Sequence, residues 1–222
     1  MKRIALVLLV TFVANSFAFR DSLAASPGFL WALAIPYFGL AAYSLYYFWD
    51  QGTLVDRLLP RGGDISIGAV SAMLLLFASW LGRSALAPAG TPRQAWLFRI
   101  YLQLGDPEVL QHSVLLTLLL LFLPIAEELV WRGLVLDLVS ERFGTRRAWT
   151  LTTLLYALAL CPTAYLLRDP SAGLNPLLPT AALGAGIVWG FLSGRFGRLT
   201  PAIVSHMAFT YFSAVQFRWP MG

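Results

Sequence analysis

The chain has 222 residues, of which 58% are hydrophobic and 12% are charged, and its formal net charge is +5. A soluble domain of this length cannot bury so much apolar surface, so the composition indicates one domain in a lipid bilayer. The basic residues are almost all arginines that lie between apolar stretches, which argues against the concentrated basic face of a nucleic-acid-binding protein.

Apolar stretches recur along the chain, and most are close to the roughly 17 to 25 residues that a membrane-spanning helix requires. Only helices and closed barrels satisfy every backbone hydrogen bond in lipid, and these stretches are too continuous for barrel strands. The predicted fold is therefore all-α, a polytopic transmembrane helical bundle with about seven spans. The predicted spans are 4–19, 28–49, 66–87, 110–138, 148–167, 179–195 and 200–218.

The first stretch, MKRIALVLLVTFVANSFA, has two interpretations. Its basic start and short apolar core are also features of a cleaved secretory signal, but it lacks a clear A-x-A cleavage site, which favours a retained helix. The chain leaves this stretch on the outer side in both cases, so the topology of the later spans is the same.

The distribution of basic residues predicts a multi-pass protein of a bacterial-type inner (plasma) membrane with a cytoplasmic amino terminus. This orientation places nine basic residues inside and five outside, in agreement with the usual excess of positive charge in the cytoplasm. The inside group is Lys2, Arg3, Arg57, Arg61, Arg142, Arg146, Arg147, Arg195 and Arg198, and the outside group is Arg20, Arg93, Arg99, Arg168 and Arg218.

Two regions are predicted along the chain. Residues 1–108 form N-terminal transmembrane helices and a segment, 93–104, that mixes arginine and tryptophan with apolar residues at helical spacing. That segment is interpreted either as a helix along the membrane interface or as a solvated loop. Residues 109–222 form the helices that carry the candidate chemistry.

Two adjacent acids and an arginine lie inside the apolar stretch FLPIAEELVWRGLVL. On a helix Glu128 and Arg132 are four residues apart and share a face, whereas Glu127 is turned about 100° from Glu128. Arg132 therefore pairs directly only with Glu128, and Glu127 needs another partner, water or a proton. Two acids in unlike surroundings indicate acid–base chemistry. The alternative is a structural Glu128–Arg132 bridge with Glu127 at a water-filled crevice.

A histidine on the last predicted span, His206, is the second candidate. A single histidine on an apolar helix is commonly a packing residue, but its depth is informative here. At 1.5 Å of rise per residue, Glu128 lies roughly 15 Å and His206 roughly 9 Å from the cytoplasmic ends of their helices. The two side chains are thus predicted to meet if the fourth and seventh spans pack together.

These residues resemble the CPBP intramembrane proteases, also called the CAAX prenyl endopeptidase and Abi family. PIAEELVWRGL is similar to the family's EExxxR motif, with Glu127, Glu128 and Arg132 in register. GAGIVWGFLSGRFGRLTPAIVSHMAFT is similar to its closing segment, in which a glycine-rich helix and a basic turn precede a helix with histidine. The resemblance covers about Val109 to Phe217.

Two positions differ from the family pattern. In the FxxxH motif, Tyr156 occupies the aromatic position and Leu160 occupies the histidine position. In the HxxxN motif, Thr210 stands four residues after His206, where asparagine is usual. A threonine hydroxyl can still donate a hydrogen bond, whereas a leucine side chain cannot.

The resemblance implies an intramembrane endopeptidase that cleaves a peptide bond with water activated by a glutamate. Either Glu127 or Glu128 would be the general base, Arg132 would fix the pair, and His206 would orient the water or support the oxyanion. Thr210 would take the place of the asparagine. The chain has no H-E-x-x-H pair and one cysteine, Cys161, so no metal and no other cofactor is expected.

The expected substrates are hydrophobic or lipid-modified protein segments, in a C-terminal processing or sorting reaction, and the expected partners are this substrate and the lipid bilayer. No nucleic acid is expected, and the oligomeric state is left open. The absent histidine keeps a second hypothesis open, a catalytically silent family member that binds membrane proteins. A small proton-coupled carrier is a third, for which no inverted repeat is visible.

Overall fold

The computed structural model describes residues 1–218, which form a helical bundle without any β-strand apart from one isolated bridge between Asp169 and Gly173. The all-α prediction is confirmed. The last four residues of the second predicted region, 219–222, lie outside the described residues. The helices are α1 Lys2–Ala18, α2 Pro27–Asp50, α3 Leu54–Leu58, α4 Asp64–Leu86, α5 Gln94–Leu104, α6 Pro107–His112, α7 Val114–Glu128, α8 Leu136–Phe143, α9 Thr145–Ala159, α10 Cys161–Leu166, α11 Leu177–Phe196 and α12 Thr200–Val215, with a π turn Leu129–Val135 between α7 and α8.

Five helical stretches in the described part of the chain are long and apolar enough to cross a membrane. Helices α1 and α12 have 17 and 16 residues, at the lower limit of what a bilayer requires. The predicted number of about seven spans therefore stays a prediction. The five stretches are Pro27–Asp50, Asp64–Leu86, Val114–Phe143, Thr145–Leu166 and Leu177–Phe196.

Two predicted spans are interrupted. The predicted span 110–138 contains a break at Ser113, which has an extended backbone and accepts a hydrogen bond from Leu116 N at 3.4 Å, so that it caps α7. The predicted span 148–167 divides at Leu160, after which Pro162 lies in the first turn of α10. Proline has no backbone N–H and fits the first turn of a helix, which explains the second break.

The bundle brings the two predicted groups of loops to opposite ends. At one end Arg57 donates a hydrogen bond to Asp137 at 2.6 Å and thereby joins the loop after α2 to α8. At the other end the buried Gln103 of α5 donates to Ala18 O at 2.8 Å. Segment 94–104 is helical, as one of its two interpretations required. Which end faces the cytoplasm stays a prediction.

Helix α12 packs closely against α4 and α7, and this packing sets the position of His206. A Cβ atom added to Gly68 of α4 would lie 2.7 Å from Val204 Cβ, so only glycine permits this approach of the two helices. Just before α12, Arg198 Nε donates to the buried Asp64 at 2.7 Å. The start of α12 is therefore fixed to the start of α4.

Candidate active site

Glu128 at the end of α7 is the centre of a buried ionic cluster. Its Oε1 accepts hydrogen bonds from Arg132 Nη1 at 3.1 Å and from His206 Nδ1 at 2.8 Å. The side chains of Glu128, Arg132 and His206 are 0%, 1% and 6% exposed. The predicted meeting of the fourth and seventh spans is thus present, through α7 and α12.

Glu127 has different surroundings from its neighbour. Its Oε2 accepts a hydrogen bond from the Tyr156 hydroxyl at 2.9 Å and lies 3.8 Å from His206 Nε2. Within residues 1–218 its Oε1 has no hydrogen-bond partner, and its side chain is 16% exposed, against 0% for Glu128. The arginine pairs directly with Glu128, as predicted, and the two acids form an unequal pair.

Arg132 is held by aromatic rings as well as by Glu128. Its guanidinium carbon lies 4.5 Å from the ring centre of Tyr156 and 5.1 Å from that of Trp189. Such contacts stabilise a desolvated cation by about 2 kcal/mol or more. In the described part of the chain, Arg132 Nη2 and Glu128 Oε2 lack hydrogen-bond partners. The arginine is therefore positioned mainly by its aromatic neighbours and one carboxylate oxygen.

His206 is oriented by a stacked indole. Its ring lies 3.6 Å from that of Trp189 with an interplanar angle of 20°, and Trp189 Nε1 donates to Ser205 Oγ at 3.2 Å. An ionised carboxylate only accepts hydrogen bonds, so Nδ1 of the imidazole donates to Glu128. The Nε2 atom is directed toward Glu127.

The π turn Leu129–Val135 follows directly after the acid pair and contains Arg132. Isolated π turns inside α-helices occur frequently at functional sites. Gly133, within this turn, lies so close to α2 that an added Cβ would be 2.4 Å from Phe48 Cζ. The predicted span 110–138 has no such turn, because hydrophobic periodicity does not distinguish a single wide turn from an uninterrupted α-helix.

Thr210 and Leu160 occupy the two positions at which the motifs differ. Thr210 lies one helical turn after His206, is partly buried and makes no hydrogen bond with residues 1–218. Leu160 is the residue at which α9 ends, and it packs against the hydrophobic core. The structure therefore does not join either residue to the cluster by a hydrogen bond.

Two residues that contact the cluster, Tyr156 through its hydroxyl and Trp189, were not predicted from the sequence. The hydroxyl of Tyr156, which was considered only as an aromatic residue, contacts Glu127, and Trp189 contacts both Arg132 and His206. A tyrosine in place of phenylalanine was the available signal for the first. For Trp189, the sequence contains no motif or residue spacing that would have indicated a contact with Arg132 or His206.

Between residues 1 and 218 no group of three or more His, Cys, Asp or Glu side chains is placed to hold a metal ion.

The comparison with protein families bears on this cluster directly. Residues 110–212 match the model of a family described as Rce1-like, type II CAAX prenyl endopeptidase. The match covers slightly less than half of the chain and supports its membership of this family. All five predicted site residues lie within the matched segment, so the Rce1-like part of the chain contains the complete buried cluster. No curated protein and no solved structure matches the chain.

The family match and the apolar helices together indicate a membrane protein of a protease family. The helices that come before the matched segment also contribute to the surroundings of the cluster. Tyr37 of α2 accepts a hydrogen bond from Trp131 Nε1 at 3.3 Å, and Phe48 of the same helix packs against Gly133. The two predicted regions are therefore in contact at the candidate active site.

Proposed function

We propose that the chain is an intramembrane endopeptidase in which Glu127 activates the attacking water. The unequal carboxylate pair is the main support. Glu128 is fully buried and fixed by Arg132 and His206 on one oxygen, whereas Glu127 is more exposed and has one oxygen without a hydrogen-bond partner among residues 1–218. A general base needs an accessible acceptor within hydrogen-bond reach of the water. Glu127 meets that requirement better than Glu128.

The water would bind between Glu127 and His206. The 3.8 Å between Glu127 Oε2 and His206 Nε2 is too long for a direct hydrogen bond, so Nε2 and the unpartnered Glu127 Oε1 are both available to a water. With Nδ1 donating to Glu128, a neutral imidazole has an acceptor at Nε2. The water would donate one hydrogen bond to each acceptor, which directs an oxygen lone pair toward the substrate.

The proposed reaction is hydrolysis of a peptide bond. The water oxygen attacks the carbonyl carbon while Glu127 takes the water proton, and the carbonyl oxygen becomes the oxyanion of a tetrahedral intermediate. The carbon–nitrogen bond then breaks, and Glu127 returns the proton to the leaving amine. One carboxyl group and one amine are formed for each water consumed.

The other residues have supporting roles in this proposal. Arg132 holds Glu128, and Glu128 fixes His206 in the orientation that exposes Nε2. The free hydroxyl of Thr210 is one turn from His206 and would donate to the oxyanion. Loss of one oxyanion donor commonly lowers the rate by about 10²–10³ and leaves measurable catalysis. The replacement of the usual asparagine by Thr210 is therefore compatible with activity.

The proposed substrates are hydrophobic or lipid-modified protein segments in a bacterial-type inner membrane. The cluster lies among apolar helices, so a segment that approaches it must tolerate an apolar environment. Prenylated CAAX tails are the substrates in the family description, and C-terminal processing of other membrane proteins fits the same chemistry.

The experiment is a cleavage assay with the purified full-length protein in liposomes. The probes are a fluorogenic farnesylated CAAX peptide and a fluorogenic unmodified transmembrane peptide, and the variants are Glu127→Gln and Glu128→Gln. We expect cleavage by the wild type and loss of at least about 10²-fold in rate for Glu127→Gln. Equal rates in the wild type and Glu127→Gln would contradict the proposal.

A catalytically silent protein that binds membrane partners is the second candidate, and Leu160 is the observation that favours it. Its side chain offers no hydrogen bond at the position where the family motif has histidine. A silent binder would cleave neither probe and would retain its binding partners in both glutamine variants. Comparison of the membrane proteome with and without the gene, read at protein C-termini, separates the two functions in cells.

A further inference from the structure

Tyr156 of α9 is held rigidly beside the acid pair. Its ring lies beneath the Arg132 guanidinium, with 4.5 Å from the guanidinium carbon to the ring centre. The edge of the Trp131 indole packs against it, with ring centres 5.5 Å apart and an interplanar angle of 62°. The side chain is 5% exposed. Its hydroxyl group therefore has a fixed position and little competition from water.

The hydroxyl of Tyr156 donates to Glu127 Oε2 at 2.9 Å. An ionised carboxylate only accepts hydrogen bonds, so the direction of this bond is fixed. Hydrogen bonds to a charged acceptor are roughly twice as strong as bonds between neutral groups. Among the described residues this is the sole hydrogen bond to Glu127, which leaves the Oε1 atom available to a substrate water.

Among residues 1–218 no other side chain donates a hydrogen bond to the Glu127 carboxylate. Leu160 lies one helical turn after Tyr156 on the same face, and its side chain is purely apolar. Without the hydroxyl, the Glu127 carboxylate would have no direct hydrogen bond from residues 1–218, because His206 Nε2 is 3.8 Å from Oε2 and too distant for one. The orientation of the carboxylate therefore depends on Tyr156.

We propose that Tyr156 is a positioning residue for the endopeptidase reaction, because its hydroxyl holds the Glu127 carboxylate in the orientation that accepts the water proton. This inference rests on the proposed function. The proposed donor, Tyr156, lies one helical turn before Leu160, which occupies the histidine position of the FxxxH motif. The substitution at position 160 is then compensated by the hydroxyl at position 156.

The test is Tyr156→Phe, which removes only the hydroxyl and keeps the ring between Arg132 and Trp131. A misplaced general base commonly lowers the rate by about 10²-fold, so we expect kcat to fall by about that factor while KM changes less than about twofold. The matched control is Tyr47→Phe, since Tyr47 is also buried and its hydroxyl donates to a carboxylate outside the cluster, Glu141 Oε1, at 2.9 Å. We expect Tyr47→Phe to keep the wild-type kcat.

Two further measurements separate positioning from general damage. The thermal unfolding midpoint in detergent should be the same for both phenylalanine variants. The double variant Tyr156→Phe with Leu160→His places an imidazole one turn along the same face, and we expect it to recover part of the lost kcat. A structural role for the hydroxyl would instead lower the midpoint and would not respond to a new donor at position 160.

The outcomes distinguish this inference from the function on which it rests. Cleavage by the wild type that is lost in Glu127→Gln and retained in full by Tyr156→Phe overturns the role of Tyr156 alone. Equal cleavage by the wild type and Glu127→Gln, or none by either, overturns both. A fall in kcat confined to Tyr156→Phe, with unchanged midpoint and KM, supports the inference.

Discussion

His206 Nδ1 lies 2.8 Å from Glu128 Oε1, although the two residues are 78 positions apart in the chain. This contact joins α12 to α7 and determines which imidazole nitrogen is turned toward Glu127. A packing histidine requires no such partner. The geometry therefore favours a functional interpretation of His206 over the packing interpretation that its isolated position in the sequence allowed.

Replacement of His206 by alanine should lower kcat by about 10²–10⁴ in the liposome assay, because one of the two acceptors that orient the water is lost. The matched control is His112→Ala, which changes the other histidine of the chain, an exposed residue at the end of α6. We expect the control to retain wild-type kinetics. Similar losses in both variants would argue against a specific role for His206.

Replacement of Arg132 by methionine should lower the free energy of unfolding by about 3–5 kcal/mol, since Glu128 would remain charged and buried without its cation. The additional change Glu128→Gln removes that charge and should restore part of the loss. Unfolding of the purified protein in mixed detergent micelles measures both effects. The control Arg147→Met changes an exposed arginine and should have little effect.

Gly186→Ala should destabilise the bundle by about 1–3 kcal/mol through overpacking. The added Cβ would lie 2.9 Å from Thr153 Cγ2 and 3.2 Å from Arg132 Nη2. Gly184→Ala on the same helix has no heavy atom within 4 Å of the new Cβ and should be neutral or slightly stabilising. Thermal unfolding midpoints compare the pair, and equal midpoints would show that α11 adjusts to the methyl group.

The predicted orientation places the loop after α8 in the cytoplasm and the loop after α10 outside. In a Cys161→Ser background, a cysteine at Arg146 should react with a membrane-impermeant maleimide only after the membrane is permeabilised. A cysteine at Asp169 should react in intact spheroplasts, because that side chain is partly exposed in a loop. The reverse labelling pattern would show that the amino terminus is outside.

The pairing of Glu128 with Arg132 was predictable, because residues four apart on a helix share a face whatever the tertiary structure. The contact with His206 was predictable only through a comparison of depths in the membrane. The contact between Glu127 and Tyr156 was not predictable. It depends on how α9 packs beside α7, and that packing is set by many apolar contacts without a distinctive spacing.

The breaks in the fold show the same difference. The division between α9 and α10 interrupts the predicted span 148–167. Pro162 was the available sign of it, since proline has no backbone N–H and fits the first turn of a helix. The π turn after Glu128, by contrast, has no residue in the sequence that would have predicted it. Gly133, which allows Phe48 to approach, belonged to the family motif, but its packing partner on α2 lies 85 positions earlier and outside that motif.

The π turn has a geometric consequence for the whole helix from Val114 to Phe143. Its hydrogen bonds span five residues instead of four, so the turn accommodates one additional residue without a further turn of helix. Side chains beyond it are consequently offset by about 100° from the phase of an uninterrupted α-helix. Glu128 lies before the π turn and contacts His206, whereas Asp137 lies after it, has the rotated direction and contacts Arg57. The additional residue in the π turn thus sets the angle about the helix axis between Glu128, which contacts His206, and Asp137, which contacts Arg57 at the end of the bundle.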